Sequence, residues 1–313
     1  MSSATLTPAS HSPSFLDILT GRTLRQRQAR LGYFFILPVM LLEVIFFVIP
    51  TVFTLFLTFS SWQVQGFGAI VGLRNYQATL GDPSFWITMR NTLLLAVIGT
   101  PVTTLLALVT AVALQSASKV RFRTWFRLIY FLPVVTSMVA IAYIWKWLYN
   151  PQYGLLNPVL ATVGIPQQTW LDSTVEVIPS LALIYVWARF GFDMIIFIAG
   201  LEGISPDYYE AARIDGAGRF QSFLHITVPL LNAQFVLVGI LETINSVKLF
   251  DLPYAATNGG PGDASRTVVM YVFDQAFTFF DFGRAAVSAV ILFAVIMGLT
   301  LIQRRVVSTR VDY

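Results

Sequence analysis

Three sets of residues in this 313-residue chain have the types and spacing to do chemistry, and none is a set for making or breaking covalent bonds. The first is Tyr208-Tyr209-Glu210-Ala211-Ala212-Arg213-Ile214-Asp215-Gly216-Ala217-Gly218, a polar stretch that runs on to Pro229 between long apolar runs. The second is Arg189 with Asp193, one helical turn apart inside an apolar run. The third is Glu242, Thr243, Asn245, Ser246, Lys248 and Asp251, in or at the end of another. With no cysteine there are no disulfides, thiolate nucleophiles or thiolate metal sites. The only histidines, His11 and His225, lie far apart, so no catalytic residue and no metal ligand is assigned. No Gly-x-x-x-x-Gly-Lys-Ser/Thr loop occurs, so the chain cannot itself be an ATPase of that type. What remains is gripping and binding, and the chain is read as a non-enzyme with no cofactor of its own and no nucleic-acid partner.

The elements that must position these residues cross a membrane. The chain is 56% hydrophobic and 12% charged, with mean hydropathy +0.70. Soluble domains carry roughly a quarter charged residues. Apolar runs of about 20 residues match a ~30 Å hydrocarbon core. Six spans follow: Leu31–Phe59, Asn91–Gln115, Trp125–Leu148, Ile178–Leu201, Leu230–Phe250 and Ala285–Ile302. This divides the chain into a tail (1–30), a first transmembrane helix (31–60), an outer loop (61–90), a core of five spans (91–303) containing the 202–229 loop, and a tail (304–313). The fold class is all-α and multi-pass. Glu43 lies within the first span, without an assigned role.

Basic residues orient the spans. Arg22, Arg25, Arg27 and Arg30, then Lys119, Arg121, Arg123 and Arg127, then Arg213 and Arg219, and finally Arg304, Arg305 and Arg310 fall on one side. That is thirteen, against Arg74, Arg90, Arg266 and Arg284 on the other. Lys and Arg concentrate in cytoplasmic loops, so both termini and the 4–5 loop are expected in the cytoplasm. Outside, Val268–Phe280 reads as an aromatic, amphipathic stretch lying along the interface.

The 4–5 loop has local helix signals. Ser205 suits an N-cap, Pro206 the first helical position and Asp207 the positive helix end. Asp215-Gly216 stops the helix, Gly216 being free to take a positive φ. Three acids stand against Arg213 and Arg219, whereas an interfacial lipid-binding helix is rich in Lys and Arg. The segment reads as a surface for another protein.

The series Glu210-Ala211-Ala212, Asp215-Gly216-Ala217, Phe223, Ile226 and Pro229 resembles the EAA loop of ABC importer permeases. The likeness extends to Val71-Gly72-Leu73-Arg74-Asn75-Tyr76, to Asn150-Pro151 with Gly154-Leu155-Leu156-Asn157, and to Phe250-Asp251 before Thr257-Asn258-Gly259-Gly260-Pro261. It is strongest for the maltose-permease-type or glycerol-phosphate-permease-type half of the sugar-importing heterodimer, without the large outer insert of enteric maltose permeases. The resemblance implies a type I importer fold in a bacterial inner membrane. It implies that Glu210, Ala211, Ala212, Asp215, Gly216 and Ala217 couple to an ATPase. It implies as partners a second related permease, a dimer of ATPase subunits holding ATP and Mg, an extracytoplasmic binding protein and membrane lipid. The expected cargo is a carbohydrate, a di- or oligosaccharide first. Carried over by position, the cavity is lined by Val134, Met138, Tyr185, Ala188, Arg189, Phe192, Asn245, Ser246 and Leu249.

The residues alone suggest further expectations. Arg189 and Asp193 should neutralise one another, and Lys146 and Lys248 should snorkel; from the cavity that the resemblance implies, Ser246→Leu should lower uptake with assembly intact. The alternative is an ion-coupled secondary transporter, with Arg189, Asp193 and Glu43 in a proton relay; against it, six spans without a recognisable internal repeat are few, and broken helices at corresponding positions are not evident.

Overall fold

The computed structural model describes residues 24–63, 66–116 and 120–307. His11, Arg22, Lys119, Arg310 and most of both expected tails lie outside the described residues. The chain divides into two units, Met1–Phe56 and Leu57–Tyr313.

The first unit is one apolar span. Helix α1 (Leu24–Glu43) passes through a π turn (Val44–Val48) into α2 (Ile49–Leu57). Pro50 has no N–H to give the ladder. The hydroxyls of Thr51 and Thr54 bond back to the carbonyls of Phe47 (2.6 Å) and Pro50 (2.8 Å). No residue of its apolar window is buried, and Glu43 is exposed among them.

The second unit opens with an antiparallel hairpin, β1 (Ser60–Gln63) on β2 (Gly66–Ile70), with a bulge between Ser61 and Trp62. Then come α3 (Arg74–Leu80), α4 (Pro83–Ser116), α5 (Val120–Phe131), α6 (Met138–Leu148), α7 (Leu156–Thr162) and α8 (Val177–Glu202). The 4–5 loop holds α9 (Pro206–Ile214) and α10 (Arg219–Ser222). After it come α11 (Val228–Leu230), α12 (Asn232–Val247), α13 (Asp251–Thr257), α14 (Val268–Phe273) and α15 (Phe282–Val307). Among the described residues four helices are long and apolar enough to cross a membrane unbroken, and counting each of two bent pairs as one span gives six.

The bends correct the expectation of unbroken spans. The third span turns by 101° between Val135 and Met138. Pro133 lacks the N–H an interior turn needs, and Thr136 and Ser137 are extended (ψ 140° and 132°) before the helix resumes. The fifth turns by 65° between Leu230 and Asn232, just after Pro229. The second span starts at Pro83, two turns before the expected Asn91.

Helix α8 is the centre of the unit, with 67% of its apolar window buried against 28% for α15. Gly191 explains part of this. A Cβ there would collide with the Tyr130 carbonyl, so glycine lets α8 lie against the end of α5. One face of α8 packs Leu181 and Tyr185 with Leu95, Ile141 and Leu252; lower down, Met194 and Phe197 pack with Leu108, Leu231 and Val238. A third cluster joins Phe85, Met89, Val247, Val268, Tyr271 and Leu292. The stretch 268–280 is therefore not an interfacial helix throughout. Val268 and Tyr271 are core, and only its end, with Phe277 and Phe279 at 64% exposure, is open.

Beside the start of α4 one network closes the unit. The guanidinium of Arg284 donates to Asp82 and to the Tyr271 hydroxyl (2.6 Å), which itself donates to Asp82 (2.8 Å). Burial alone would raise the Asp82 carboxyl, but hydrogen bonds from Tyr271, the Ser84 amide and Arg284 outweigh it and hold it below its usual value. Its contribution is complete above the unfolded value of 3.8 and is lost as the pH falls through the lower folded value. Replacing Asp82 by Asn should cost about 1–3 kcal/mol, because the donors lose an ionised partner. In detergent, thermal unfolding midpoints should fall more steeply in the wild type than in the variant as the pH drops from 3.8 through the lower folded value. Equal midpoints at neutral pH would show that the network contributes nothing.

Candidate functional site

The 4–5 loop is a capped helix with an open outer face. Ser205 is extended (ψ 134°), and its hydroxyl accepts the Asp207 N–H (3.3 Å). At the other end Gly216 is left-handed, at φ +81°, and the Ala217 amide returns to the Ala212 carbonyl (2.9 Å). The Gln221 side chain accepts from the Gly218 amide (2.9 Å) and starts α10. The Tyr209 hydroxyl meets that of Thr227 (2.9 Å), anchoring α9 to the start of the fifth span. Glu210, Ala211, Asp215 and Gly216 are exposed, and Ala212 and Ala217 half-buried. Glu210 and Arg213 are 4.0 Å apart and mostly solvated, so their pairing adds little. Ile214 is 86% and Phe220 72% exposed, apolar side chains on a polar loop that none of the described residues covers.

A second site lies between the third, fourth and fifth spans. A cavity of about 240 Å³ is lined by Met138, Tyr185, Arg189, Asn245, Lys248, Leu249, Phe250 and Asp251. Five of the nine residues selected from sequence are among them. Of the other four, Phe192 lies under the Arg189 guanidinium (5.4 Å to the ring centre). Ala188 is buried in the core, and Val134 sits half-buried on the turn that breaks the third span. Ser246 is buried and hydrogen-bonded to Thr100 across α4 and α12 (3.1 Å). A leucine there would overfill a helix contact, so Asn245, not Ser246, is the residue whose change tests the cavity alone. Lys248 and Asp251 both face the cavity and form no ion pair among the described residues. Lys146 lines a separate cavity of about 310 Å³ with Asn150, Asp172 and Thr257.

Arg189 does not pair with Asp193. Its Nε and Nη2 donate to Glu242 Oε1 (3.1 and 2.8 Å), and the Tyr185 hydroxyl donates to Glu242 Oε2 (2.6 Å). Glu242 is fully buried and joins α8 to α12 through both carboxylate oxygens. Asp193 is also fully buried, and neither oxygen has a hydrogen-bond partner among the described residues. Sequence spacing favoured the neighbour on the same helix. The partner 53 residues away could be found only from the packing of two spans.

Residues 103–313 match the family model described as the binding-protein-dependent transport system inner membrane component. The chain belongs to that family. The permease is 32% identical over 280 residues to the probable ABC transporter permease protein YurN of Bacillus subtilis, covering 88% of this chain and 96% of that one. It is 30% identical over 295 residues to the trehalose/maltose transport system permease protein MalF of Thermococcus litoralis, covering 92% and 97%. In fold it matches a chain of the bacterial alginate ABC transporter, crystallised with an alginate pentasaccharide-bound periplasmic protein (TM-score 0.76, 22% identity, 91% of this chain and 98% of that one). The permease is thus an inner-membrane transport component with an all-α importer fold, and the ion-coupled alternative is set aside.

The two acids should respond oppositely. Glu242→Leu leaves Arg189 unpaired in the interior and should destabilise by about 3–5 kcal/mol. Asp193→Asn breaks no observed hydrogen bond and should cost under about 1 kcal/mol. Thermal unfolding in detergent measures both, and the reverse ranking would make Asp193 the partner of Arg189.

Proposed function

We propose that this permease is one of two different membrane subunits of an ABC importer that takes up a carbohydrate delivered by an extracytoplasmic binding protein. The observation that carries the reading is connectivity. Helix α9 follows α8 after three residues and leads through α10 and α11 into α12. The cavity is lined by Tyr185 and Arg189 of α8 and by Asn245 at the end of α12. One exposed handle thus pulls on the two helices that line the cavity.

In this reading both termini and residues 205–229 lie in the cytoplasm, in keeping with the bias of basic residues. Glu210, Ala211, Ala212, Asp215, Gly216 and Ala217 contact an ATPase subunit, and ATP and Mg are held by an ATPase dimer. Closure of that dimer displaces α9. The Tyr209–Thr227 bond and the short link to α8 pass the displacement to the fourth and fifth spans, about 20 Å from Glu202 to Arg189 at 1.5 Å per residue. The cavity then alternates between the two faces, with differential binding setting the direction.

The carbohydrate reading draws on the trehalose and maltose of one relative's name and the alginate of the matched transporter. The cavity suits it chemically. Arg189, Asn245, Lys248 and Asp251 offer donors and acceptors to hydroxyls, and Phe250, Met138 and Leu249 offer apolar surface to ring C–H groups. Asn245→Ala should lower uptake about tenfold, the loss of one to two hydrogen bonds, with assembly unchanged; unaltered uptake would remove α12 from the site. Gly216→Val forces a β-branched residue to φ +81°. The tagged chain purified gently from its native membrane should then bring down far less ATPase than the wild type. Purification of the wild type with no ATPase would contradict the reading.

A further inference from the structure

Between α9 and the ends of the second and fourth spans lies another cavity, of about 630 Å³. That is within the roughly 300–1,000 Å³ typical of small-molecule sites. Val112 at the end of α4, Leu201 and Ile204 at the end of α8 and Phe223 before α11 make an apolar wall. Arg213 of α9 and Arg219 of α10 line it as well, and no acidic side chain does. Among the described residues Arg219 has no ion pair, and the one ion pair of Arg213 is with the solvated Glu210 at 4.0 Å.

Apolar walls facing span ends, with guanidinium groups beside them, complement an amphiphile whose head is an anion. Guanidinium binds phosphate oxygens in a two-point fork. Basic pockets between spans on the cytoplasmic side take anionic headgroups. We propose that this cavity binds an anionic glycerophospholipid of the cytoplasmic leaflet. Its phosphate sits on Arg213 and Arg219, and its upper acyl chain lies against Val112, Leu201, Ile204 and Phe223. A zwitterionic lipid is disfavoured because its ammonium would add positive charge to the same cluster. The proposal rests on the placement of residues 205–229 at the cytoplasmic face. It makes lipid a filler beneath the coupling helix, held where that helix must stay rigid against the spans.

The test uses the chain with its native partners, reconstituted in nanodiscs of phosphatidylcholine with or without phosphatidylglycerol. Native mass spectrometry then counts lipid retained on this chain. One phosphatidylglycerol should be retained in preference to phosphatidylcholine. Arg213→Gln with Arg219→Gln should weaken retention roughly 30-fold, at about one kcal/mol per cation. Val112→Trp, which keeps both cations and fills the apolar end, should also abolish it, and it decides the matter if the double variant fails to assemble. Arg304→Gln with Arg305→Gln, in the last turn of α15, should change nothing. Equal retention of the two lipids, or equal retention by wild type and both site variants, would overturn the proposal. So would inorganic phosphate in phosphatidylcholine discs raising the thermal midpoint as much as phosphatidylglycerol does, since the site would then take a free anion. The count is made on this chain's own mass, and the discs carry the lipid in both leaflets. Absence of an ATPase from the preparation would therefore count against the importer reading and not against the lipid site.

Discussion

The carboxylate of Glu242 holds the fourth and fifth spans together at the depth of the cavity. One oxygen takes two donors from Arg189 and the other takes the Tyr185 hydroxyl. A buried ion pair adds little net stability over apolar packing, but removing one partner strands the other charge. The pair therefore fixes registry more than it adds strength. With it in place, α8 and α12 present Tyr185, Arg189 and Asn245 to one space, and the loop that carries α9 connects two helices already clamped to each other.

The rest of the unit serves that clamp. Gly191 lets α8 settle against the carbonyl of Tyr130, so the most buried helix of the bundle passes next to the break in the third span. The break turns Met138 toward the cavity. Pro229 and the π turn at Phe223–Thr227 perform the matching bend at the other end of the fifth span. Each bend follows a proline within a few residues, in a helix that has already lost a ladder donor.

What the sequence made legible was what short-range chemistry decides. The cap at Ser205, the proline after it and the left-handed Gly216 specify α9 from neighbouring residues alone, and the structure holds each as expected. The apolar runs also placed the spans, though the second begins about two turns and the fifth about three turns before the expected residue. What stayed hidden depends on partners far along the chain. Arg189 has an acid one turn away, yet it pairs with Glu242 because the packing of α8 on α12 brings that carboxylate to its fork. Ser246 looked like a ligand contact and is a helix contact, because the residue it faces, Thr100, belongs to the second span. Tyr271 reads as an interfacial aromatic until Asp82 and Arg284 are seen to converge on its hydroxyl.

If Glu242 is the constraint on which the cavity depends, the fourth and fifth spans must move as one body when the coupling loop is displaced. The chain has no native cysteine, so it takes site-directed spin labels without background. Labels at Leu183 of α8 and Leu237 of α12, both exposed, report the spacing of the two spans in the reconstituted complex. The account predicts one narrow distance distribution, the same without nucleotide and after vanadate trapping with ATP, and a nucleotide-dependent one once Glu242 is replaced by leucine. A wild-type distance that changes on trapping would contradict it, because the two spans would then be separating where the carboxylate is said to hold them.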